Sequence, residues 1–401
     1  MKVLVVQPHG LWPGPSSFAE QFCQALASEG HEVALVTARG LVTATGKALP
    51  WKHIQALPPE AMRSPGASRG AGYFRARSAT VQANWAAVNL ALKLAKREGF
   101  GAVHVLDSEP LSLAMANLRR GRPRNLFVTY RGYEFGTGAG PPLTRLYQVM
   151  RRAVWRCTAS NIWMDAETSQ SLDAAVRSGA VRRDRIRLIP HPIWSPGKLE
   201  GLDRQEARKR IGVDWRGPLF LLFGHRPPMQ KALDVVIEAI SNMPRTFRLL
   251  IAGREGDAAA DALLVEHIRA AGWDADVYRH FDYVPAEKVE SYFAASDALI
   301  LSYRKEYIGA SGVLAQACAY GLPVIASDAA DLGETVRSKR LGLVFKAEDS
   351  ESLREAMKRF MGLPETALSE YRQALASIRE ERSWRNVVRQ HLQSYESAGH
   401  R

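Results

Sequence analysis

The chain has 401 residues, more than one ordinary core organises, and its 46% apolar and 24% charged side chains exclude a disordered or fibrous class. No run approaches the roughly 18 apolar residues of a membrane span; residues 1–10 lack a signal-peptide core, and three scattered cysteines exclude a disulfide framework or zinc pattern, so a cytoplasmic setting is expected. The net charge of +13 lies wholly in residues 1–190, which carry 25 basic and 12 acidic side chains; the remainder carries 29 of each.

Residues 2–7 read as a buried first strand, followed by a turn rich in glycine, proline and serine over 10–17. A helix over 18–29 sets Phe18, Phe22, Ala25 and Leu26 on one face, Gly30 stops it, and 33–37 forms the next strand. After 62–78, read as a loop rich in Gly, Arg and Ser, comes a long helix near 80–97. Strand 102–106, helix 111–118, strand 126–130, helix 143–155 and strands 158–162 and 186–189 follow. Strands separated by helices of this length imply parallel pairing through right-handed crossovers, a doubly wound sheet. The basic excess gathers at Arg119, Arg120, Arg122 and Arg124, at Arg151, Arg152 and Arg156, and at Arg182, Arg183, Arg185 and Arg187. Such a surface suits nucleic acid, anionic lipid or an acidic small molecule, or is simply solvated. No nucleic-acid-binding module is recognisable in it.

Over 190–218 the prolines at 190, 192 and 196 resist helix, and this stretch reads as a link. A second alternation then begins: strand 219–223, helix 232–241, strand 248–252, helix 258–271, strand 276–279, helix 286–294, strand 298–302, helix 312–320 and strands 323–326 and 342–345. Residues 350–398 read as helical throughout.

In open parallel sheets ligands bind beyond the carboxyl ends of the strands. After strand 219–223 comes Gly224-His225-Arg226-Pro227-Pro228-Met229-Gln230-Lys231. Gly224 permits a tight turn, and Arg226 and Lys231 supply two cations that suit a diphosphate gaining charge as it leaves. The same residues also suit ordinary surface cations flanking a helix. After strand 298–302, Gly309, Ala310, Ser311, Gly312 and Val313 are small residues opening a helix, where free N–H groups and the helix dipole favour phosphate. A turning joint would use similar residues. Gln316, one turn in, has the reach of a ribose hydroxyl.

Taken in order, Gly224 to Lys231 with Leu233-Asp234, Leu250-Ile251-Ala252-Gly253, Tyr283-Val284-Pro285, Ser311-Gly312-Val313-Leu314 and Gly321-Leu322-Pro323 resemble the donor domain of the family 4 glycosyltransferases. Ser383-Trp384 to Tyr395 is similar to their closing helix. Gly30-His31-Glu32-Val33 and Val128-Thr129-Tyr130-Arg131-Gly132 give a weaker likeness in the N-terminal half. The resemblance implies the α/β GT-B fold: two doubly wound Rossmann-like parallel-sheet domains facing an interdomain cleft. It implies an acceptor-binding domain over 1–190, a donor-binding domain over 198–382, and a helix over 383–401 that returns to the first domain. The implied activity is transfer of a hexose-type sugar from a nucleotide diphosphate sugar, with retention and without a metal or other cofactor. The uneven charge, with the basic excess in the acceptor-binding domain, points to an acceptor that is an anionic glycan or a lipid-linked sugar, with an anionic membrane surface as a further candidate partner of that domain.

Residue by residue, the resemblance implies that Arg226 and Lys231 stabilise the leaving diphosphate, and that Gly309 to Val313 cradle phosphate and sugar. Gly224, His225, Gly253, Arg254, Tyr283, Val284, Glu306 and Gln316 would border the rest of the donor. Two departures matter. Ile308 and Gln316 occupy positions where the family usually has glutamates, with Glu306 two residues early. Arg131 stands where relatives often have histidine, and a guanidinium is no base near neutral pH. Arg131 then reads as a phosphate ligand and Glu134 as the nearby carboxylate. Asp107, at a strand end, and Gly14 and Ser16, in the first turn, are acceptor-side candidates. These departures leave a catalytically impaired nucleotide-sugar-binding protein as the alternative. Asp274-Ala275-Asp276 has the spelling of a metal-binding D-x-D, but it precedes its strand, at the end opposite the expected site.

Overall fold

The computed structural model describes residues 1–8, 18–38, 51–56, 71–106, 109–130, 142–179, 181–194, 202–225, 230–254, 258–307 and 309–399. The chain divides into two compact units, Met1–Pro190 with Trp384–Arg401, and His191–Ser383. In the first unit the described strands are β1 (Lys2–Gln7), β2 (Glu32–Thr37), β3 (Lys52–Gln55), β4 (Ala102–Val105), β5 (Leu126–Tyr130), β6 (Trp163–Ala166) and β7 (Ile186–Leu188). They form one parallel sheet in the order β3-β2-β1-β4-β5-β6-β7. The second unit repeats the plan with β8 (Leu219–Phe223), β9 (Arg248–Ala252), β10 (Val277–His280), β11 (Ala298–Leu301), β12 (Val324–Ser327) and β13 (Gly342–Phe345), ordered β10-β9-β8-β11-β12-β13. Both orders reverse direction beside their first strand, the topological switch where open α/β sheets take ligands. The expected pair of doubly wound sheets is present.

Each sheet is covered on both faces. In the first unit, one face buries Leu4, Val6, Val103, Val105 and Val128 under α2 (Ala71–Glu98), α3 (Pro110–Arg119), α4 (Pro142–Thr158) and α5 (Ser169–Arg177). The other face buries Val3, Val5, Leu35 and Phe127 under α1 (Phe18–Ser28) and the last helix, α14 (Trp384–Gly399). That last helix is pinned by a buried polar cluster. His391 Nδ1 lies 3.1 Å from Asp165 Oδ2, and His104 bonds Thr129 Oγ1 at 2.8 Å with one ring nitrogen and the Tyr395 hydroxyl with the other. Trp384 stacks edge-on against Phe18 at 4.9 Å, and Arg385 and Arg389 both bind Glu29, whose carboxyl they hold below its usual range.

Several local expectations are corrected. The strand expected over 158–162 lies at Trp163–Ala166, because α4 runs on to Thr158 and a tight turn follows at Ala159–Asn161. The loop expected over 62–78 gives way to helix at Ala71. Edge strand β3 and helix α5 went unread. So did α6 (Arg204–Arg210), within the supposed link, and α11 (Ala330–Ser338). The helical tail is three helices, α12 (Ser350–Met361), α13 (Glu365–Glu381) and α14, because Pro364 and Ser383 interrupt it. Among the described residues no helix is long and apolar enough to cross a membrane.

Candidate functional site

The second unit gathers its predicted residues at the carboxyl end of its sheet. Beyond β8 the chain turns at Gly224 (φ +88°), and beyond β9 at Gly253 (φ +117°). A β-carbon on Gly253 would lie 2.6 Å from the Gly224 carbonyl oxygen, and one on Gly224 would lie 3.2 Å from Val313 Cγ2. Both positions need glycine for their backbone angles and for the close approach. The turns after β8 and β9 therefore pack on each other, and the first also touches the start of α10 (Gly312–Tyr320). His225 extends the contact, with Nδ1 3.2 Å from the Arg254 carbonyl oxygen.

Lys231 reaches the same place by another route. The segment around it is zipped to the chain leaving β11: Lys231 and Tyr303 form an antiparallel bridge, Ala232 N donates to Ser302 O at 2.9 Å, and Arg304 N donates to Gln230 O at 2.9 Å. The lysine is only 8% exposed. Its Nζ lies 4.6 Å from the centre of the Tyr303 ring and 3.5 Å from the Phe223 carbonyl oxygen. The Tyr303 hydroxyl pairs at 2.9 Å with Ser311 Oγ, which caps α10 by accepting from Leu314 N at 3.1 Å. One tyrosine thus joins the buried ammonium to the helix N-terminus. Sequence reasoning missed Tyr303 and Ser302, whose roles depend on the bridge to the segment around Lys231 and leave no local signal.

Charge separates Lys231 from its neighbour. Arg304 is neutralised by Asp234 at 2.9 Å and Glu348 at 3.2 Å. Lys231 has no carboxylate within ion-pair distance among the described residues. A buried cation is costly unless an anion joins it, and the N–H groups opening α10 beside it favour the same charge.

The remaining predicted residues are placed unevenly. Gln316 is half-buried one turn into α10, Gly309 and Ala310 are partly buried on the approach to that helix, and Glu306 is exposed in the turn after Arg304. Tyr283 and Val284 follow β10; Val284 packs against the core, while Tyr283 is exposed, and partial burial with nearby Glu287 raises its phenol above the usual range. Arg226, Arg131, Glu134, Asp107, Gly14 and Ser16 lie outside the described residues. Asp274 and Asp276 sit at the entrance of β10, bound to Arg279 and to Arg245 and Arg248. Among the described residues the one cluster with metal-ligating spacing is His104, Asp165 and His391, which belongs to the first unit beneath α14.

Both units match the sequence models of known domains. Residues 13–192 match the sequence model of the Glycosyl transferase 4-like domain, and residues 217–362 that of Glycosyl transferases group 1. The chain is similar to the D-inositol 3-phosphate glycosyltransferase of Rhodococcus erythropolis, 31% identical over 203 residues, 49% of this chain and 45% of that protein. It thus spans about half the length of the curated relatives it matches. Among solved structures, sucrose-phosphate synthase from Thermosynechococcus elongatus superposes with a TM-score of 0.73 at 18% identity, covering 99% of both chains. Anabaena HepE in complex with UDP-glucose gives 0.72 at 16% identity, covering 99% of this chain and 100% of that one. At such identities the superpositions speak for the fold. The two domain models, in this order along two switch-point sheets, carry the assignment: the chain belongs to the GT-B glycosyltransferases of the family 4 type.

Proposed function

We propose that the protein transfers a hexose-type sugar from a nucleotide diphosphate sugar to an acceptor, with retention of anomeric configuration and without a metal. The donor diphosphate lies between Lys231 and the N-terminus of α10. The supporting observation is the buried ammonium of Lys231, with no carboxylate in ion-pair distance among the described residues and tied through Tyr303 to the helix start. Lys231, with Arg226, stabilises the charge that grows on the leaving diphosphate. Gly309, Ala310, Ser311, Gly312 and Val313 present backbone N–H groups to phosphate and sugar. Gly224, His225, Gly253 and Arg254 shape the floor, Gln316 and Glu306 address sugar hydroxyls, and Tyr283 and Val284 border the base. The leaving phosphate helps to deprotonate the acceptor, so no strong protein base is required. Arg131, Glu134, Asp107, Gly14 and Ser16 serve the acceptor, an anionic glycan or lipid-linked sugar met by the basic first unit.

The test is a thermal-shift panel of nucleotide sugars beginning with UDP-glucose, the ligand in the HepE structure, followed by transfer or donor hydrolysis. A bound donor raises the melting temperature by mass action, and turnover accompanies it. No shift with any nucleotide sugar removes the proposal. Ile308 and Gln316, where the family usually has glutamates, favour one second reading, a nucleotide-sugar-binding protein with impaired turnover. Tight binding with neither transfer nor hydrolysis selects it.

A further inference from the structure

Tyr303, the second residue after β11, is only 4% exposed, and each part of it has a partner. Its backbone N–H donates to Ser327 Oγ, at the end of β12, at 3.0 Å, and its bridge to Lys231 fixes the two chain segments side by side. The ring centre lies 4.1 Å from that of Tyr307, the planes tilted by 34°. Both phenols reach one segment. Tyr303 Oη pairs with Ser311 Oγ at 2.9 Å, and Tyr307 Oη donates to the Ala310 carbonyl at 2.9 Å. Two neighbouring rings therefore brace successive residues of the stretch that opens α10.

The same ring carries the ammonium. Lys231 Nζ sits over it, 4.6 Å from its centre, and the Phe223 carbonyl oxygen is 3.5 Å away. An ordinary buried tyrosine needs a partner for its hydroxyl and nothing more. What Tyr303 adds is the kind of restraint it places on the lysine. A carboxylate would hold the ammonium but cancel its charge, as Asp234 and Glu348 do for Arg304. A π face attracts a cation through its quadrupole and carries no net charge, so the direction is fixed while the positive charge stays available. At the far end of the same rigid ring the hydroxyl meets Ser311, whose Oγ accepts from Leu314 N at 3.1 Å. One side chain thus sets the spacing of two anion-seeking groups, an ammonium and a helix N-terminus.

We propose that Tyr303 is a positioning residue: its ring aims the Lys231 ammonium and its hydroxyl holds the opening of α10, so that both meet one diphosphate. The inference rests on the transferase reading of Lys231 and adds to that site the group that sets its geometry. The two ends of the side chain act at different moments. The helix start meets phosphate already in the bound donor, so the hydroxyl governs donor affinity. The ammonium meets charge that grows as the diphosphate leaves, so the ring governs the rate.

The experiment is a pair of double-mutant cycles on the full chain. Calorimetry with UDP, ADP, GDP and dTDP measures affinity, and hydrolysis of the donor selected by the thermal-shift panel gives the rate. Tyr303→Phe keeps the ring and is expected to weaken nucleotide binding about three- to tenfold, with the rate at saturating donor within about twofold of wild type. Its effect is coupled to that of Ser311→Ala, a cycle in affinity that needs no turnover. Tyr303→Leu removes the ring as well, and the saturated rate falls by about a further tenfold. In a Lys231→Ala background the same change alters the rate by less than about twofold, because the ring has no cation left to aim. Should Tyr303→Leu fail to fold, the cycle of Tyr303→Phe with Ser311→Ala decides. Additive effects in either cycle overturn the positioning role and leave the transferase reading in place, as does wild-type affinity in Tyr303→Phe. A wild-type chain that binds no nucleoside diphosphate removes the transferase reading, and this inference with it.

Discussion

Lys231 and Arg304 sit on two chain segments joined by the same backbone bridge, yet their charges have opposite fates: one is held by two carboxylates and the other by a ring and a carbonyl. That difference is why Lys231→Ala is expected to lower turnover on the order of 100-fold at saturating donor, as is Arg226→Ala. Steady-state kinetics on folded protein checks this, and wild-type rates in either variant contradict the assigned role. Gly253→Ala is expected to weaken the fold by about 1–3 kcal/mol, since the position combines a left-handed backbone with a carbonyl 2.6 Å from the added carbon; denaturant midpoints measure it. Protons act at the same scale. Desolvation holds His31, His53 and His280 below the ordinary 6.5 of a histidine. The unfolded chain therefore binds protons that the folded chain refuses, and stability falls as pH drops through 6.5 and below. Melting temperatures at mildly acidic and neutral pH should differ less in His280→Gln than in wild type.

At the scale of elements, strands and site loops were the most legible features. Buried parallel strands are short runs of Val, Leu, Ile and Phe, and the shortness of Leu219–Phe223 and Ala298–Leu301 favours strand over buried helix. Helices with a polar sequence were lost. In α6 the residues are Arg-Gln-Glu-Ala-Arg-Lys-Arg, capped by Asp203, whose carboxylate accepts from Gln205 N and Glu206 N. Its buried Arg208 bonds the Ala295 and Trp215 carbonyls and Asp297, so a charge stands where a pattern search expects an apolar residue. The site was legible where small residues precede a helix, and illegible at Tyr303, because an aromatic that serves a lysine across a bridge has no local signature. The helix α14 supplies a prediction of its own. Tyr395 is buried against Phe127 at 4.6 Å and bonds His104. Tyr395→Ala is expected to cost about 3–5 kcal/mol through the cavity, and Tyr395→Phe about 1–3 kcal/mol through the unsatisfied ring nitrogen. Urea unfolding of the two variants separates the contributions.

For the molecule as a whole, the first unit is built from two separate stretches of chain and the second from one. A fragment of residues 191–383 holds all six strands of its sheet and its own two hydrophobic clusters, and is expected to fold alone with a cooperative melt. A chain ending at Ser383 lacks α14 and leaves Phe22, Leu26 and Phe127 without their cover, so aggregation is expected; light scattering at equal concentration compares the two. The uneven charge belongs to this scale as well, since only the discontinuous unit carries the excess of arginine.

Because the roof of the first sheet is encoded after the whole second unit, translation imposes an order on assembly. The ribosome emits seven strands and then must finish nearly two hundred further residues before the segment that seals them emerges. Throughout that interval the middle portion can mature while the leading portion waits half-clothed, a guest for holdase chaperones. Slow codons or stalling within the stretch that encodes the second unit would lengthen that wait, and the sheet of the first unit, not that of the second, would be the first to suffer.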